Sequence, residues 1–232
     1  MERWCKVAIT TLYEDNHILV VIKPPEIPVQ EDASGALDLL TILKDYLKEK
    51  YNKPGNVFLG LVHRLDRNAG GVMVFAKTSK AAARLSTQIR ERETKKTYLA
   101  VVSGCPEKSS SRLIDFLYKN EDTNTVSVVE AGTSNAKEAI LDYETIDQVN
   151  NVSLIRVSLL TGRAHQIRVQ MAHNGTPVYG DTKYGFKREQ PGYDLALWSY
   201  KMEIDHPIKK ERMCFTAPPP DTHPWNLFKR LG

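Results

Sequence analysis

Two short segments of the chain place charged side chains inside an apolar frame. Residues 62–67 read Val-His-Arg-Leu-Asp-Arg, and residues 161–169 contain Arg168. Each segment follows a strand-like run, and an acid in an apolar setting is costly unless something pairs with it. Arg168 is a suitable partner for Asp66, because arginine is the preferred fork for a partly buried carboxylate. The pair would keep Asp66 ionised, as a carboxylate nucleophile requires.

The surroundings of Asp66 set it apart from an ordinary loop aspartate. Most such residues are solvated and cap a turn or pair with a surface cation. Here His63, Arg64 and Arg67 crowd the carboxylate, and Gly70-Gly71 follows closely. Adjacent glycines permit a tight turn or the close approach of a ligand. The setting therefore favours a chemical role for Asp66.

Tyr98 and a basic run before it each have two interpretations. Tyr98 fits an ordinary core position in a strand, or a ring that stacks on a nucleic-acid base. Residues 77–96 hold seven Lys or Arg and two Glu, a local charge of +5 against +4 for the whole chain. Such runs are usually solvated helix faces. Because this one joins the Asp66 loop to Tyr98, a phosphate-binding rim is the alternative interpretation.

Other site chemistries find little support in the sequence. His165 and His173 lack a third ligand at metalloprotease spacing, and no GxSxG element of a serine hydrolase is present. We therefore expect no metal. The three cysteines are isolated, which argues against a disulfide framework and for a reducing compartment. With no signal-like start and no apolar run of about 20 residues, we expect a soluble cytoplasmic protein without membrane contact.

Composition suits a globular chain with a sizeable core. The 232 residues are 41% hydrophobic with a net charge of +4, so the balance is only mildly basic. A nucleic-acid partner is permitted but not demonstrated by this total. No repeat, linker or domain break interrupts the pattern. We therefore expect a single domain over residues 1–232, with its core at about residues 13–219.

The elements that must position these residues can be predicted from local patterns. Apolar runs at residues 18–22 and 72–76 indicate buried strands. A helix with Ser34 as its N-cap would present Leu37, Leu40, Leu43 and Leu47 and fail near residues 52–55. A second helix would start at Thr78 or Ser79, with an inner face formed by Ala82, Leu85 and Ile89.

The second half of the chain reads as strands and one short helix. Residues 98–102 and 152–160 are strand-like, and residues 112–149 form a strand-rich stretch with turns. Residues 165–173 fit a short helix ended by Asn174-Gly175. The proline-rich tail would be extended, with Trp225 and Phe228 as packing anchors. This mixture predicts an α+β fold with a strand-rich core.

Several ordered motifs resemble those of the RluA family of pseudouridine synthases. Residues 63–71 resemble its HRLDxxTSG signature, and Lys23-Pro24 with Pro28-Val29 resembles its early KPxGxxV element. Residues 92–100, 162–169 and 180–185 resemble its later blocks. The resemblance runs from about residue 13 to residue 219 and implies a catalytic domain without the N-terminal accessory RNA-binding domain of many members.

The departures from the family pattern concern the support of the site. Asn68-Ala69 stands in place of the usual Thr-Ser, and Ala164 in place of a common Thr. Leu197-Trp198-Ser199 stands where Leu-His-Ala is frequent. These positions would tune the catalytic loop or the fit of the substrate. The nucleophile, the aromatic residue and the arginine are all present.

The resemblance implies a fold, an activity and a set of site residues. The fold would be a mixed, largely antiparallel sheet with flanking helices and a central cleft. Asp66 would be the catalytic carboxylate, Tyr98 the stacking group and Arg168 the ion-pair partner, while Arg64 would enter the RNA helix where the target base leaves. We expect no cofactor, and a monomer whose partner is ribosomal or transfer RNA. Substrate-binding residues would be His63, Arg64, Arg67, Lys80, Arg84, Lys96, Arg163, His165 and Gln166.

Alternatives remain at this point. The chain could be an RNA-binding homologue that has lost catalysis, although Asp66, Tyr98 and Arg168 are all retained. An unrelated carboxylate enzyme such as a glycosidase would need a second acid opposite the first, and no motif supplies one. Asp66 could attack the ribose or the uracil ring, or promote elimination at the sugar. The sequence does not choose among these routes.

Overall fold

The computed structural model describes residues 9–185 and 195–229, which contain one large sheet with three α-helices. The sheet runs in the order β1-β2-β4-β10-β5-β9-β8-β6-β7, with β3 added beside β4 and β11 beside β10. Among the described strands, only β4 and β10 pair in parallel. The predicted α+β fold with a largely antiparallel sheet is confirmed.

The helices and strands have the following bounds in chain order. The elements are β1 Thr10–Glu14, β2 Ile18–Lys23, α1 Leu39–Lys50, β3 Gly60–Leu61, β4 Gly70–Ala76, α2 Ser79–Arg90, β5 Lys95–Ser103, β6 Ser110–Asn120, β7 Thr125–Val129, β8 Lys137–Val149, β9 Val152–Leu159, α3 Gln166–His173, β10 Leu197–Asp205, β11 Arg212–Thr216 and a 3-10 turn at Trp225–Leu227.

The two faces of the sheet carry separate cores. Because side chains alternate along a strand, β5 presents Tyr98 and Ala100 to one face and Leu99 and Val101 to the other. We call the first the front face, where α1 and α3 pack. The second is the back face, covered by α2 and by the predicted tail anchors, of which Trp225 is one. Each face thus has its own helices.

The first helix begins later than the sequence predicted. Asp38, not Ser34, is its N-cap and accepts a hydrogen bond from the Thr41 amide at 3.0 Å. Ser34 instead belongs to a loop turn, where its amide donates to Asp32. Leu37 is 42% exposed because it precedes the cap. The helical spacing of apolar residues therefore extends about one turn before the first residue of α1, Leu39.

The other helix boundaries agree with the sequence. Thr78 caps α2 by accepting from the Ala81 amide at 3.2 Å, and Leu85 lies in the back core. Helix α3 ends at His173, and Gly175 adopts a φ of 82° just beyond it. Strands β6, β7 and β8 occupy the predicted strand-rich stretch.

Two adjacent glycines allow the parallel contact between β4 and β10. A Cβ on Gly70 would lie 2.2 Å from the Trp198 ring, and Gly71 has a φ of 113° with Ser199 backbone atoms 2.3 Å from an added Cβ. Only glycine tolerates such a close approach together with a positive φ. The loop before β4 is thereby held against the centre of the sheet. That loop carries Asp66.

Candidate active site

The predicted ion pair is present at the front of the sheet. Asp66 lies in the loop between β3 and β4, and its side chain is 23% exposed. Arg168, on the first turn of α3, places Nη1 3.0 Å from Asp66 Oδ2. A charge-assisted contact of this length stabilises the ionised carboxylate. Asp66 Oδ1 is left on the side away from this bond.

Arg168 is shared between two acids. Its Nε and Nη2 donate to the two carboxylate oxygens of Asp181 at 2.7 and 2.8 Å, and the Asp181 side chain is 0% exposed. Burial opposes the guanidinium charge, but Asp181 and then Asp66 outweigh it and raise the pKa of Arg168. Asp181 lies within residues 180–185, a block that resembles the family but does not by itself indicate a site role for this acid. The two bonds to Asp181 fix the orientation of the guanidinium, and its third nitrogen, Nη1, binds Asp66.

His165 faces the other oxygen of Asp66. It has left-handed backbone angles at the start of α3, and its Nε2 lies 4.0 Å from Asp66 Oδ1. Burial lowers the pKa of His165, which favours the neutral ring. Its Nδ1 hydrogen bonds to the Tyr184 hydroxyl, which also accepts from the Val126 amide at 3.0 Å. Because a carboxylate only accepts, we infer that the ring proton sits on Nε2 and Tyr184 donates to Nδ1.

Tyr98 lies beneath this group on the front face of β5. The side chain is largely buried, and burial, reinforced by the charge of Asp66, raises the pKa of Tyr98 above its ordinary value. The residue is therefore a protonated phenol near neutral pH. Its hydroxyl can donate a hydrogen bond, and its ring belongs to the front core. The predicted stacking on a base stays a prediction.

His63 and Lys96 are neighbours at the edge of the site. Burial first, and then the charge of Lys96, lowers the pKa of His63 to about 3. The neutral ring accepts a hydrogen bond from the Val74 amide through Nε2 at 3.0 Å. Burial also lowers the pKa of Lys96. His63 therefore ties the Asp66 loop to β4, and its predicted contact with the substrate stays a prediction.

Lys23 is a site residue that the sequence reasoning missed. Its side chain is 0% exposed, and Nζ donates to the carbonyls of Pro24, Arg67 and Ala69 at 2.9, 2.8 and 2.7 Å. Burial lowers the pKa of Lys23 to about 7, although the nearby charge of Asp66 acts in the opposite direction. The ammonium binds the chain immediately after Asp66. The sequence feature that could have indicated this role is a lysine at the end of an apolar strand, directly before Pro24.

The two arginines beside Asp66 differ in their surroundings. Arg67 donates from Nε to the Glu26 carbonyl at 3.0 Å and from Nη1 to the Ser34 hydroxyl at 3.1 Å. It therefore joins the Asp66 loop to the loop of residues 24–38. Arg64 is exposed to solvent. Arg67 is exposed as well, so both side chains can be reached from solvent.

Gln166 and Arg163 lie at the turn before α3. Gln166 is buried, and its oxygen accepts from the Thr161 hydroxyl at 2.8 Å and the Arg163 amide at 3.0 Å. Its nitrogen donates to Ile140 and Gln170. The amide is thus fully used within the fold, where Gln166 ties the turn before α3 to β8. Its predicted contact with the substrate stays a prediction. The half-buried Arg163 donates from Nε to the Glu138 carbonyl at 2.8 Å.

The structure does not bring the predicted basic rim together. Lys80 and Arg84 lie on α2, which packs on the back face, and Arg84 Nη1 donates to the Pro207 carbonyl at 2.7 Å. Lys77 pairs with Glu14 at 2.7 Å, while Lys96 lies at the front. One charge run in the sequence is therefore split between two faces of the sheet.

Within residues 9–185 and 195–229, no group of three or more His, Cys, Asp or Glu could hold a metal ion. No helix in these ranges combines the length and apolarity needed to cross a membrane. The thiols of Cys105 and Cys214 are free and exposed, and Cys5 lies outside the described residues. The site is thus built from carboxylate, guanidinium, imidazole and phenol groups.

Comparison with known proteins identifies the family. The family model described as RNA pseudouridylate synthase matches residues 17–173, more than half of the chain. The chain belongs to this family. The fold of this chain is similar to that of the human RNA Pseudouridylate Synthase Domain Containing 4, with a TM-score of 0.77 and 22% sequence identity. The similarity covers 91% of this chain and 88% of the human one.

Two relatives match most of this chain. It is 34% identical to ribosomal large subunit pseudouridine synthase C of Vibrio parahaemolyticus over 89% of this chain and 64% of that protein. It is 33% identical to ribosomal large subunit pseudouridine synthase D of Pseudomonas aeruginosa over 95% and 71%, respectively. The chain therefore spans about two thirds of the length of these relatives.

Proposed function

We propose that this chain converts uridine to pseudouridine in RNA, with Asp66 as the catalytic carboxylate. The observation that carries the proposal is the division of Arg168 between Asp181 and Asp66. The buried pair with Asp181 holds the guanidinium, and a single 3.0 Å bond holds Asp66 Oδ2. Oδ1 remains for chemistry, on a residue that is partly exposed.

The reaction needs groups that this site contains. The N1–C1′ bond of uridine breaks, the uracil turns, a C5–C1′ bond forms, C5 loses its proton and N1 gains one. A stacked base cannot turn in this way, so the nucleotide must be flipped out. The Tyr98 ring would hold the flipped uracil, and the exposed Arg64 would fill the vacated space. Attack by Asp66 on the ribose or on uracil, or elimination at the sugar, all use the same ionised Oδ1.

Ribosomal RNA of the large subunit is the substrate class we favour. The support is that the relatives described above are named for this RNA. Mapping pseudouridine in total RNA from cells with and without the chain tests both activity and target. We expect the loss of one or more pseudouridines from large-subunit RNA. Loss from transfer RNA alone would redirect the target, and an unchanged map would contradict the activity and favour an inactive RNA-binding homologue.

We further propose a single catalytic domain acting as a monomer in the cytoplasm. One sheet joins strands from residue 10 to residue 216, which supports the predicted core of residues 13–219. The exposed thiols of Cys105 and Cys214 suit a reducing compartment. Sedimentation equilibrium of the 26.3 kDa chain tests the monomer, because a mass twice this value would contradict it.

A further inference from the structure

A second cluster of aromatic and basic side chains lies at the far end of α1. Tyr51, the C-cap of that helix, is 47% exposed. The ammonium groups of Lys77, Lys50 and Lys53 lie 4.8, 5.6 and 5.9 Å from the centre of its ring. We call Tyr51 and these three lysines the Tyr51 patch. An exposed ring among lysines is the arrangement that binds unpaired RNA, through stacking and phosphate contacts.

Glu14 on β1 holds the Tyr51 patch in place. Its Oε1 accepts from the Tyr51 hydroxyl at 2.6 Å and from Lys77 at 2.7 Å, while Oε2 accepts from Lys50 at 2.7 Å and from the Tyr46 hydroxyl at 3.0 Å. Burial works against ionisation, but these hydrogen bonds outweigh it and lower the pKa of Glu14 to about 2. The ring is therefore pre-oriented.

The cluster contains more positive charge than is needed to attach α1 to the sheet. One carboxylate set against three ammonium groups leaves a local charge of +2. Lys53 takes no part in the hydrogen bonds to Glu14 described above, and Lys50 is 43% exposed. Attaching α1 to the sheet accounts for Glu14 and Lys77. It does not account for the excess charge around an exposed aromatic ring.

The Tyr51 patch lies on the same face as the candidate active site. Glu14 pairs across the strand with Leu19, which belongs to the front core. Lys77 follows the last residue of β4, and the Asp66 loop precedes the first, Gly70. Six strand steps separate the ends of β4, roughly 20 Å at the usual rise. An RNA engaged at Asp66 could extend along the front face to the patch.

We propose that the Tyr51 patch is a second RNA-binding site, at which the Tyr51 ring stacks on an unpaired base while Lys50 and Lys53 bind adjacent phosphates. The inference rests on the proposed function, which makes RNA the substrate. It adds a contact remote from the reacting nucleotide. The patch would supply affinity for RNA without entering the chemical step.

Binding of a fluorescein-labelled 30-nucleotide oligouridylate tests the ring. The measurements use Asp66→Asn protein, so that no chemistry occurs. Tyr51→Leu should weaken binding roughly fivefold or more, because stacking is worth about 1–3 kcal/mol per base. Tyr51→Phe loses the same bond to Glu14 but keeps the ring, and should bind within twofold of the parent. Tyr118→Leu, an exposed tyrosine on the back face of β6, is the matched control and should leave binding unchanged.

The salt dependence of binding tests the lysines. Lys53→Gln should reduce the slope of log affinity against log salt by about 0.7, one phosphate contact on a single strand. Lys80→Gln, on the back face, should leave the slope unchanged. Equal binding by Tyr51→Leu and Tyr51→Phe, an unchanged slope for Lys53→Gln, or a slope that falls only for Lys80→Gln would each overturn the proposal.

Failure here can be separated from failure of the proposed function. If pseudouridine mapping shows no activity while Tyr51→Leu still weakens oligouridylate binding selectively, the RNA site stands and the catalytic assignment falls. If pseudouridine forms and the Tyr51 variants bind alike, the activity stands and the second site falls. A parent protein that does not bind oligouridylate overturns the second site.

Discussion

Asp66 and Glu14 are both acids beside basic groups, but their surroundings differ in kind. Glu14 accepts hydrogen bonds on both oxygens, from two lysines and two tyrosines, and its side chain is 7% exposed. Asp66 shares one arginine with Asp181 and is bound through Oδ2. The comparison shows that positive charge around a carboxylate does not by itself leave an oxygen free. We propose that the free oxygen of Asp66, Oδ1, is what suits this residue to catalysis.

Arg168→Ala should give the largest loss of stability among the site variants. It leaves the buried Asp181 without its partner and releases Asp66, and breaking a buried pair typically costs about 3–5 kcal/mol. Lys50→Ala in the Glu14 cluster should cost far less, because that ammonium is exposed and Glu14 keeps Lys77. Urea unfolding of both variants measures the difference. If Arg168→Ala unfolds like the parent and keeps full activity, the shared-arginine account is wrong.

Lys23 extends the comparison to a buried ammonium group that binds three neutral carbonyls, whereas the lysines around Glu14 bind a carboxylate. The pKa of Lys23 is about 7 in the folded chain and about 10.4 in a model peptide. Between these values the unfolded chain binds more protons, so this lysine makes the fold more stable as pH rises, by up to about 1.4 kcal/mol per pH unit. Lys23→Met should remove that slope. Unfolding free energies from pH 7 to pH 10 measure it, and parallel curves would mean that the three carbonyls keep the ammonium charged.

Substitutions at Tyr98 separate the contribution of its ring from that of its hydroxyl. Tyr46, in the Glu14 cluster, is the matched control position. Stacking on Tyr98 is worth roughly 1–3 kcal/mol per base, so Tyr98→Leu should lose both RNA affinity and rate. Tyr98→Phe should bind RNA normally but complete the reaction slowly, because the protonated hydroxyl would assist the late steps at C5. Tyr46→Phe, which loses a hydroxyl bound to Glu14, should react at the parent rate. Single-turnover kinetics compare the three. Full activity of Tyr98→Phe would reduce Tyr98 to a stacking surface.

The pair of Asp66 and Arg168 could be predicted because each charge stands in an apolar frame that demands a partner. The sharing of Arg168 with Asp181 could not, since it depends on how the chain returns after α3. Lys23 was missed for a related reason: a buried lysine is rare, and its three carbonyl partners are set by tertiary structure.

The remaining differences also arise beyond local sequence. Residues 77–96 read as one basic surface, but α2 packs on the back of the sheet and separates Lys80 from Lys96. The choice of Asp38 over Ser34 as helix cap follows from backbone hydrogen bonds of the first helical residues, Leu39 and Leu40, to Pro28 and Val29. Periodicity identified the helix and its buried leucines. It could not locate the start, because both cap residues are good ones.

The most direct test of the account compares Asp66→Asn with Glu14→Gln. Each substitution is isosteric and removes one carboxylate, so the two differ only in which cluster is changed. Pseudouridine formation on transcribed large-subunit ribosomal RNA is measured in a single turnover, alongside thermal unfolding. We predict that Asp66→Asn forms no pseudouridine and unfolds close to the parent, whereas Glu14→Gln reacts near the parent rate and unfolds at a lower temperature. Measurable pseudouridine from verified Asp66→Asn protein would contradict the assignment of Asp66 as the catalytic carboxylate.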